Sequence, residues 1–295
     1  MPELRMSGAR KVASKEGVEA LPKERSGRVG RVILFMVVAL GAVMMFFPFL
    51  WSVITSLSSG LGLSATPSLI PQQPSLDAYR TLFLDLPFAR VVVNSLAIAS
   101  VVTVAQVLTS ALAAYVFTRM PFRGRGVVFA LYLATMMIPG QVLLVPQFVI
   151  MKNLGLIDSY AGVLLPSIAT AFGVFLLKQG MDAVPRELDE AAELDGASHF
   201  QTFLRIVLPN MGPSIATLSV FAFMGAWNNF LWPLVILRSE EKQTLPLALA
   251  GLQGQYTTDW DVMMAGSVIS ILPMLAIYIF AQKYVVRGIA STGIK

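Results

Sequence analysis

Residues 187–200 read ELDEAAELDGASHF, five acids and the chain's single histidine set between long apolar runs. Glu187, Asp189 and Glu190 fall in the first turn of a helix that Pro185 is placed to open, where carboxylates meet the positive end of the helix dipole. Leu188, Ala191, Ala192 and Asp195 recur at i, i+3, i+4 and i+7, so they share one small, mildly apolar face. Two adjacent alanines let another backbone come close. Gly196 fits the left-handed position that ends such a helix. Ser198 and Gln201 then have the spacing of a capping box, and Phe200, Phe203, Leu204 and Val207 make an apolar face on the helix that follows. Pro209 ends that helix and Pro213 opens the next apolar run. The expectation is a presented helix, a glycine turn and an anchored helix.

The surroundings are apolar. The chain of 295 residues is 56% hydrophobic and 13% charged, with a mean hydropathy of +0.70. A soluble domain carries about 25% charged residues. Six runs reach the ~20 residues that a helix needs to cross a bilayer: 32–56, 89–116, 126–149, 160–180, 213–237 and 264–285. The first is too long for the apolar part of a signal peptide and reads as a retained span. Without cysteine there are no disulfides or thiolate metal sites. His199 has no partner at metal-ligand spacing and reads as a surface residue.

Lysine and arginine set the expected orientation. Seventeen of 22 fall on one side: the tail 1–31, Arg119, Arg123 and Arg125, Lys178, Arg186 and Arg205, and the C-terminal end. By the positive-inside rule both termini and the acidic segment are cytoplasmic. The same clustering accounts for the net charge of +5 without nucleic acid. The expected organisation is a disordered basic tail (1–31), a first span (32–56), an external loop (57–88), a core of five spans (89–285) containing a cytoplasmic loop (181–212), and a cytoplasmic tail (286–295). In the external loop, PSLDAYRTLF predicts a short interfacial helix capped by Ser75, with Leu76, Tyr79 and Phe83 on one face.

No span carries a carboxylate, which argues against a proton-coupled carrier. An ion-coupled secondary carrier stays open, because backbone carbonyls can hold sodium; a membrane scaffold is a further alternative. There is no G-x-x-x-x-G-K-[ST] loop, so the chain is not expected to bind ATP itself. In the fifth span, Trp227 could stack on a sugar ring while Asn228 or Asn229 bonds its hydroxyls. The same amides could instead hold helices together. Pro139-Gly140 is expected to kink the third span.

Glu190-Ala191-Ala192, then Gly196, then Ile206-x-Leu208-Pro209, fits EAA-x3-G-x9-I-x-LP. This is similar to the EAA motif of the permease subunits of ABC importers. AAYVFTR (113–119), MIPGQ (137–141), LGLIDSYAGVLLP (154–166), AWNNFLWPLVIL (226–237) and VVRGIASTGIK (285–295) resemble MalG-like permeases of carbohydrate importers. The resemblance implies an all-α integral membrane protein of the MetI-like, type I importer fold, with six transmembrane helices in the cytoplasmic (inner) membrane of a prokaryote. It implies a coupling helix in which Glu187, Leu188, Glu190, Ala191, Ala192, Asp195, Gly196, Ile206, Leu208 and Pro209 face an ATPase. The implied partners are a second, MalF-like permease subunit, two ATP-binding subunits that carry the ATP and Mg, and an extracytoplasmic solute-binding protein. This chain would hold no cofactor or metal and catalyse nothing. The solute would be a sugar, with glycerol phosphate as the alternative within the family. The loop carrying Gln253, Gly254, Gln255 and Tyr256 would face the binding protein.

Overall fold

The computed structural model describes residues 28–58, 74–253 and 259–292. The tail to residue 27, Gly254, Gln255, Tyr256 and residues 293–295 lie outside these, and so do the expectations made for them. The chain divides into two compact units, Met1–Pro48 and Phe49–Lys295. The first contains most of α1 (Arg28–Ser56), whose apolar side chains from Val32 to Phe46 are exposed. Its stretch Gly30–Ser56 has a mean hydropathy of 2.6 and is long enough to cross a bilayer.

The second unit contains α2 (Asp77–Arg80), α3 (Phe88–Arg119), α4 (Arg125–Ala134), α5 (Gly140–Asn153), α6 (Tyr160–Leu164) and α7 (Ala171–Asp182). It continues with α8 (Glu187–Leu194), α9 (His199–Thr202), α10 (Leu208–Asn210), α11 (Gly212–Trp227), α12 (Leu231–Ile236), α13 (Leu245–Gly251) and α14 (Trp260–Thr292). Among the described residues there is no sheet, only an isolated bridge between Ser58 and Pro74.

The long α3 is the central support, packed by α7 and α11, with α14 against α11. Between apolar helices in lipid, close approach needs small side chains. A Cβ at Gly173 would land on Ser110 Oγ of α3, and one at Gly180 would land on Ser214 Oγ of α11. Ala111 and Ala114 of α3, Leu177 and Met181 of α7, Val207, and Leu218 of α11 close one buried cluster. Phe88, Val91, Trp227 and Ala265 belong to a second, and Val102, Met151, Val163, Trp232 and Ile236 to a third.

Of the six expected spans, the first, second and sixth are single helices and the other three are broken. The Pro139-Gly140 kink is a break. Arg125–Met137 and Gly140–Asn153 meet at 97°. Proline disfavours helical geometry in the residue before it, and Ile138 is extended at ψ 115 and Pro139 at ψ 131. The 13 residues of Arg125–Met137 reach roughly 20 Å, less than the ~30 Å hydrocarbon core. The fourth run bends by 46° between Ser167 and Ala171. The fifth stops at Trp227 and restarts at Leu231. Pro233 has no N–H to give the carbonyl of Asn229, which favours a break there, although Pro146 and Pro273 lie inside unbroken α5 and α14.

The loop helix α2 also departs from expectation. Ser75 Oγ does accept the N–H of Asp77 (3.0 Å). Ala78 and Leu82 are the buried pair, however, while Leu76 and Phe83 are exposed. A wide π-type turn over Thr81–Asp85 shifts the register that a 3.6-residue period assumes. The segment packs through Ala78 and Leu82 against Phe88 and Ala265, with the Tyr79 hydroxyl on Ser56 Oγ (2.8 Å), and leaves Leu76, Phe83 and Leu84 exposed.

Candidate functional site

The acidic segment folds as a helix, a turn and a helix. Pro185 lies two residues ahead of α8, and the carbonyl of Arg186 takes the first N–H groups, those of Asp189 and Glu190 (2.9 and 3.1 Å). Gly196 adopts φ +79. The Ala197 N–H reaches back to the Ala192 carbonyl (2.9 Å) and the Gly196 N–H to that of Glu193 (3.0 Å), so the turn satisfies carbonyls the helix leaves open. Ser198 and Gln201 form the reciprocal capping box, with Ser198 N–H donating to Gln201 Oε1 (2.8 Å) and Gln201 N–H to Ser198 Oγ (3.3 Å).

The two alanines do not share a face. Ala192 is 5% exposed and seats α8 on its own chain, whereas Ala191 points outward with Glu187, Leu188, Glu190, Leu194 and Asp195. Leu194 is 90% exposed, the most exposed large apolar residue described. Its position gave no sequence signal, because it lies off the i, i+3, i+4 stripe. In the second helix Thr202, Phe203 and Val207 are buried, and Phe200 and Leu204 are exposed. A π-type turn over Phe203–Val207 splits the four-residue apolar face expected there. Ile206 and Leu208 are half-buried and Pro209 is exposed. The Asn210 side chain caps the Ile206 carbonyl (2.7 Å).

The end of α3 clasps this loop. Arg119 Nε lies 2.6 Å from Asp189 Oδ2, and both side chains are largely buried. Arg119 Nη2 donates to the Val184 carbonyl (2.8 Å), Arg186 Nη2 to that of Thr118 (3.1 Å), and the Tyr115 hydroxyl to that of His199 (3.0 Å). The Tyr115 ring rests against Phe203, centroids 5.1 Å apart. Burial pushes the Asp189 carboxyl up, and the Arg119 and Arg186 guanidiniums partly offset it. His199 is a surface residue, 3.8 Å from Glu193 Oε1.

Inside the bundle, a cleft of about 290 Å³ lies between α3, α7, α11 and α12. Its polar lining is Gln106, Ser167, Thr170 and Asn229, and Gly225 leaves one wall open. Asn229 also borders a second cleft of about 230 Å³ with Gln141 and Gln147 of α5. Trp227 lines neither. It is 2% exposed, stacked on Phe223, and its indole N–H donates to the Ser270 carbonyl (3.1 Å). A buried indole needs that partner, so Trp227 holds α11 to α14 and has no free face for a sugar. Asn228 is exposed and lines neither cleft. The amides missed in the sequence, Gln106, Gln141 and Gln147, carried the same signal as Asn229, a polar amide within an apolar run.

The far end of the bundle has a clasp of its own. Asp158, at φ 53, accepts from the N–H groups of Arg238 and Ser239 (3.0 Å each), the Ser239 hydroxyl and Lys242 Nζ (3.1 Å). These bonds hold its carboxyl well below the usual range. Asn94 bridges the carbonyls of Glu241 and Gln243 to the Tyr160 hydroxyl. Gln253 is exposed, its amide 3.8 Å from Met263 Sδ.

Spans that break around an amide-lined cleft, with a clamped and outward-facing helix at one end, define the membrane-embedded part of a transporter. The family model described as binding-protein-dependent transport system inner membrane component matches residues 106–291. The arabinooligosaccharides transport system permease protein AraQ of Bacillus subtilis (strain 168) is 35% identical over 269 residues, 91% of this chain and 96% of its own. The lactose transport system permease protein LacG of Rhizobium radiobacter is 32% identical, over 90% of this chain and 97% of its own. A crystal structure of a bacterial ABC transporter involved in the import of the acidic polysaccharide alginate superposes with a TM-score of 0.79 at 25% identity, covering 88% of this chain and 98% of that one. The chain belongs to the family of inner-membrane permease components of binding-protein-dependent transport systems.

Proposed function

We propose that this chain is the translocating subunit of an ATP-driven importer that takes up a carbohydrate delivered by an external binding protein. The relatives named for arabinooligosaccharides and lactose support the solute class. α8 is the coupling helix, docking on an ATPase through Glu187, Leu188, Glu190, Ala191, Leu194 and Asp195. Gly196, Ile206, Leu208 and Pro209 shape the turn and the return helix. Two such ATPase subunits hold the ATP and Mg, and a second permease completes the membrane pore. The acidic loop and both termini face the cytoplasm, residues 57–88 face outward, and the loop from Gln253 through Gly254, Gln255 and Tyr256 faces the binding protein. Alternating access follows: closure of the ATPases moves α8, and α3 carries that movement to the cleft beside Gln106 and Asn229.

The observation that carries this reading is Leu194, an apolar side chain left in the open beside exposed Leu188 and Ala191, on a helix tied to its own chain through Asp189 and Ala192. The test is co-purification with the chromosomally neighbouring subunits. Wild type brings down an ATPase. Leu194→Asp inserts into the membrane and brings down little or none. Recovery of the ATPase at wild-type level with Leu194→Asp removes α8 from the docking surface. Ligand-induced thermal stabilisation of the partner binding protein across a sugar panel identifies the solute.

A further inference from the structure

Beside the coupling loop lies an open concavity of about 590 Å³ lined by Pro121, Phe122, Arg123, Arg125 and Arg186. Three arginines line it, and none forms an ion pair among the described residues, although Arg186 is near enough to Asp189 to favour its charged form. Asp189, the nearby acid on α8, is engaged by Arg119. Two of the three are aimed by a shared acceptor, since Arg125 Nη1 and Arg186 Nη2 both donate to the Thr118 carbonyl (3.4 and 3.1 Å). Arginines gathered on one concavity with little counter-charge suit a phosphate, because their planar forks match phosphate oxygens and hydrogen bonds between charged groups are the strong ones.

The surroundings say which phosphate. Arg125 opens α4, which has no buried residue, and Val127, Val128 and Leu131 stand exposed along it. Such a strip suits contact with lipid, and arginines at its end then lie at headgroup height. Phe122 is exposed at the rim, apolar surface suited to the glycerol and upper acyl region. We infer that this concavity binds the headgroup of an anionic phospholipid, held by Arg123, Arg125 and Arg186. Basic pockets at the ends of membrane helices bind such headgroups. Arg186 also presents its carbonyl to the first turn of α8, so a lipid bound there steadies the base of that helix. The inference goes beyond the importer reading and needs only that α4 borders lipid.

The test is native mass spectrometry of the full chain, purified with the subunits that accompany it, delipidated and titrated with phosphatidylglycerol or phosphatidylcholine. Wild type retains phosphatidylglycerol in preference to phosphatidylcholine, and Arg123→Gln with Arg125→Gln weakens that retention about tenfold. Arg123→Gln alone, at an exposed residue without internal bonds, gives a partial loss and guards against misfolding. Arg123→Lys, which keeps the charge but not the planar fork, retains less than wild type and more than Arg123→Gln. Equal retention in wild type and the double variant overturns the site, and so does an equal loss with Arg90→Gln at the opposite end of α3. Displacement of the lipid by millimolar inorganic phosphate assigns the pocket to a soluble anion and overturns the lipid. Lost ATPase co-purification with lipid retention unchanged assigns the arginines to a protein interface and overturns it too. Lipid retention is read whether or not the complex transports, so its failure is distinct from failure of the importer reading.

Discussion

Asp189 and Arg119 make a buried ion pair that ties α8 to the end of α3. Removing one partner of a buried ion pair leaves an uncompensated charge, at a cost of about 3 kcal/mol. Asp189→Asn should therefore leave the protein inserted but loosen α8. Hydrogen exchange over residues 187–194 should rise, and uptake should fall further than ATP hydrolysis; unchanged exchange would remove the ion pair from this role. Gly196 has open space where a Cβ would stand, so its requirement is conformational. Gly196→Ala should cost about 1 kcal/mol for the left-handed backbone. Gly196→Pro cannot adopt that φ at all and should uncouple hydrolysis from uptake; uptake at the wild-type rate would contradict this. In the cleft, Asn229→Ala should alter apparent affinity with assembly intact, whereas Trp227→Ala should impair assembly, and measuring both separates path from support. Gly196, Ser198 and Gln201 were legible because caps close between neighbours in the chain. The pairing of residues 119 and 189 was not, because no local pattern joins positions that far apart.

The long elements were legible as apolar runs, since hydrophobicity accumulates over twenty residues whatever the path. Their breaks were less so. Pro139 signalled a kink, but the size of the bend depends on what the next helix packs against. Pro233 removes a bond to a carbonyl four residues back, yet Pro146 and Pro273 sit inside unbroken helices, so proline alone does not announce a break. The π-type turns over Thr81–Asp85 and Phe203–Val207 moved the buried stripes of both short amphipathic segments, and no residue type announces them. At this scale the Asp158 clasp joins the loop before α6 to the loop after α12. Its folded carboxyl is depressed, so the stabilisation is present above the ordinary carboxylate range and is lost only as pH falls through the lower folded value. Exchange at residues 236–242 should stay protected down to about pH 4, where a free aspartate is half protonated. Opening between about pH 6 and pH 4 would contradict the depressed value, and Asp158→Asn should loosen the loop at neutral pH.

Across the whole molecule, composition and charge placement pointed to a membrane protein, and the EAA spacing to its family. The cleft was only partly readable, because lining a cavity is a property of several helices together. Gly225 shows why: a glycine in an apolar run gives no sign that it faces open space. Gly225→Leu should fill the cleft and cut uptake more than tenfold while leaving co-purification of the partners unchanged, which transport assays in vesicles can measure. Normal uptake would move the solute path elsewhere.

The outward Ala191 and the buried Ala192 of α8 set a tolerance on this loop. Each added residue turns the rest of a helix by about 100°. One insertion between Arg186 and Asp189 would carry the acid away from its arginine and swing Leu194 off its outward bearing. The fold of the loop, as distinct from its docking, should therefore survive many exchanges of side chain at Glu187, Glu190 or Asp195, yet no change of length. Its information is held as phase, like the angle at which a key is cut.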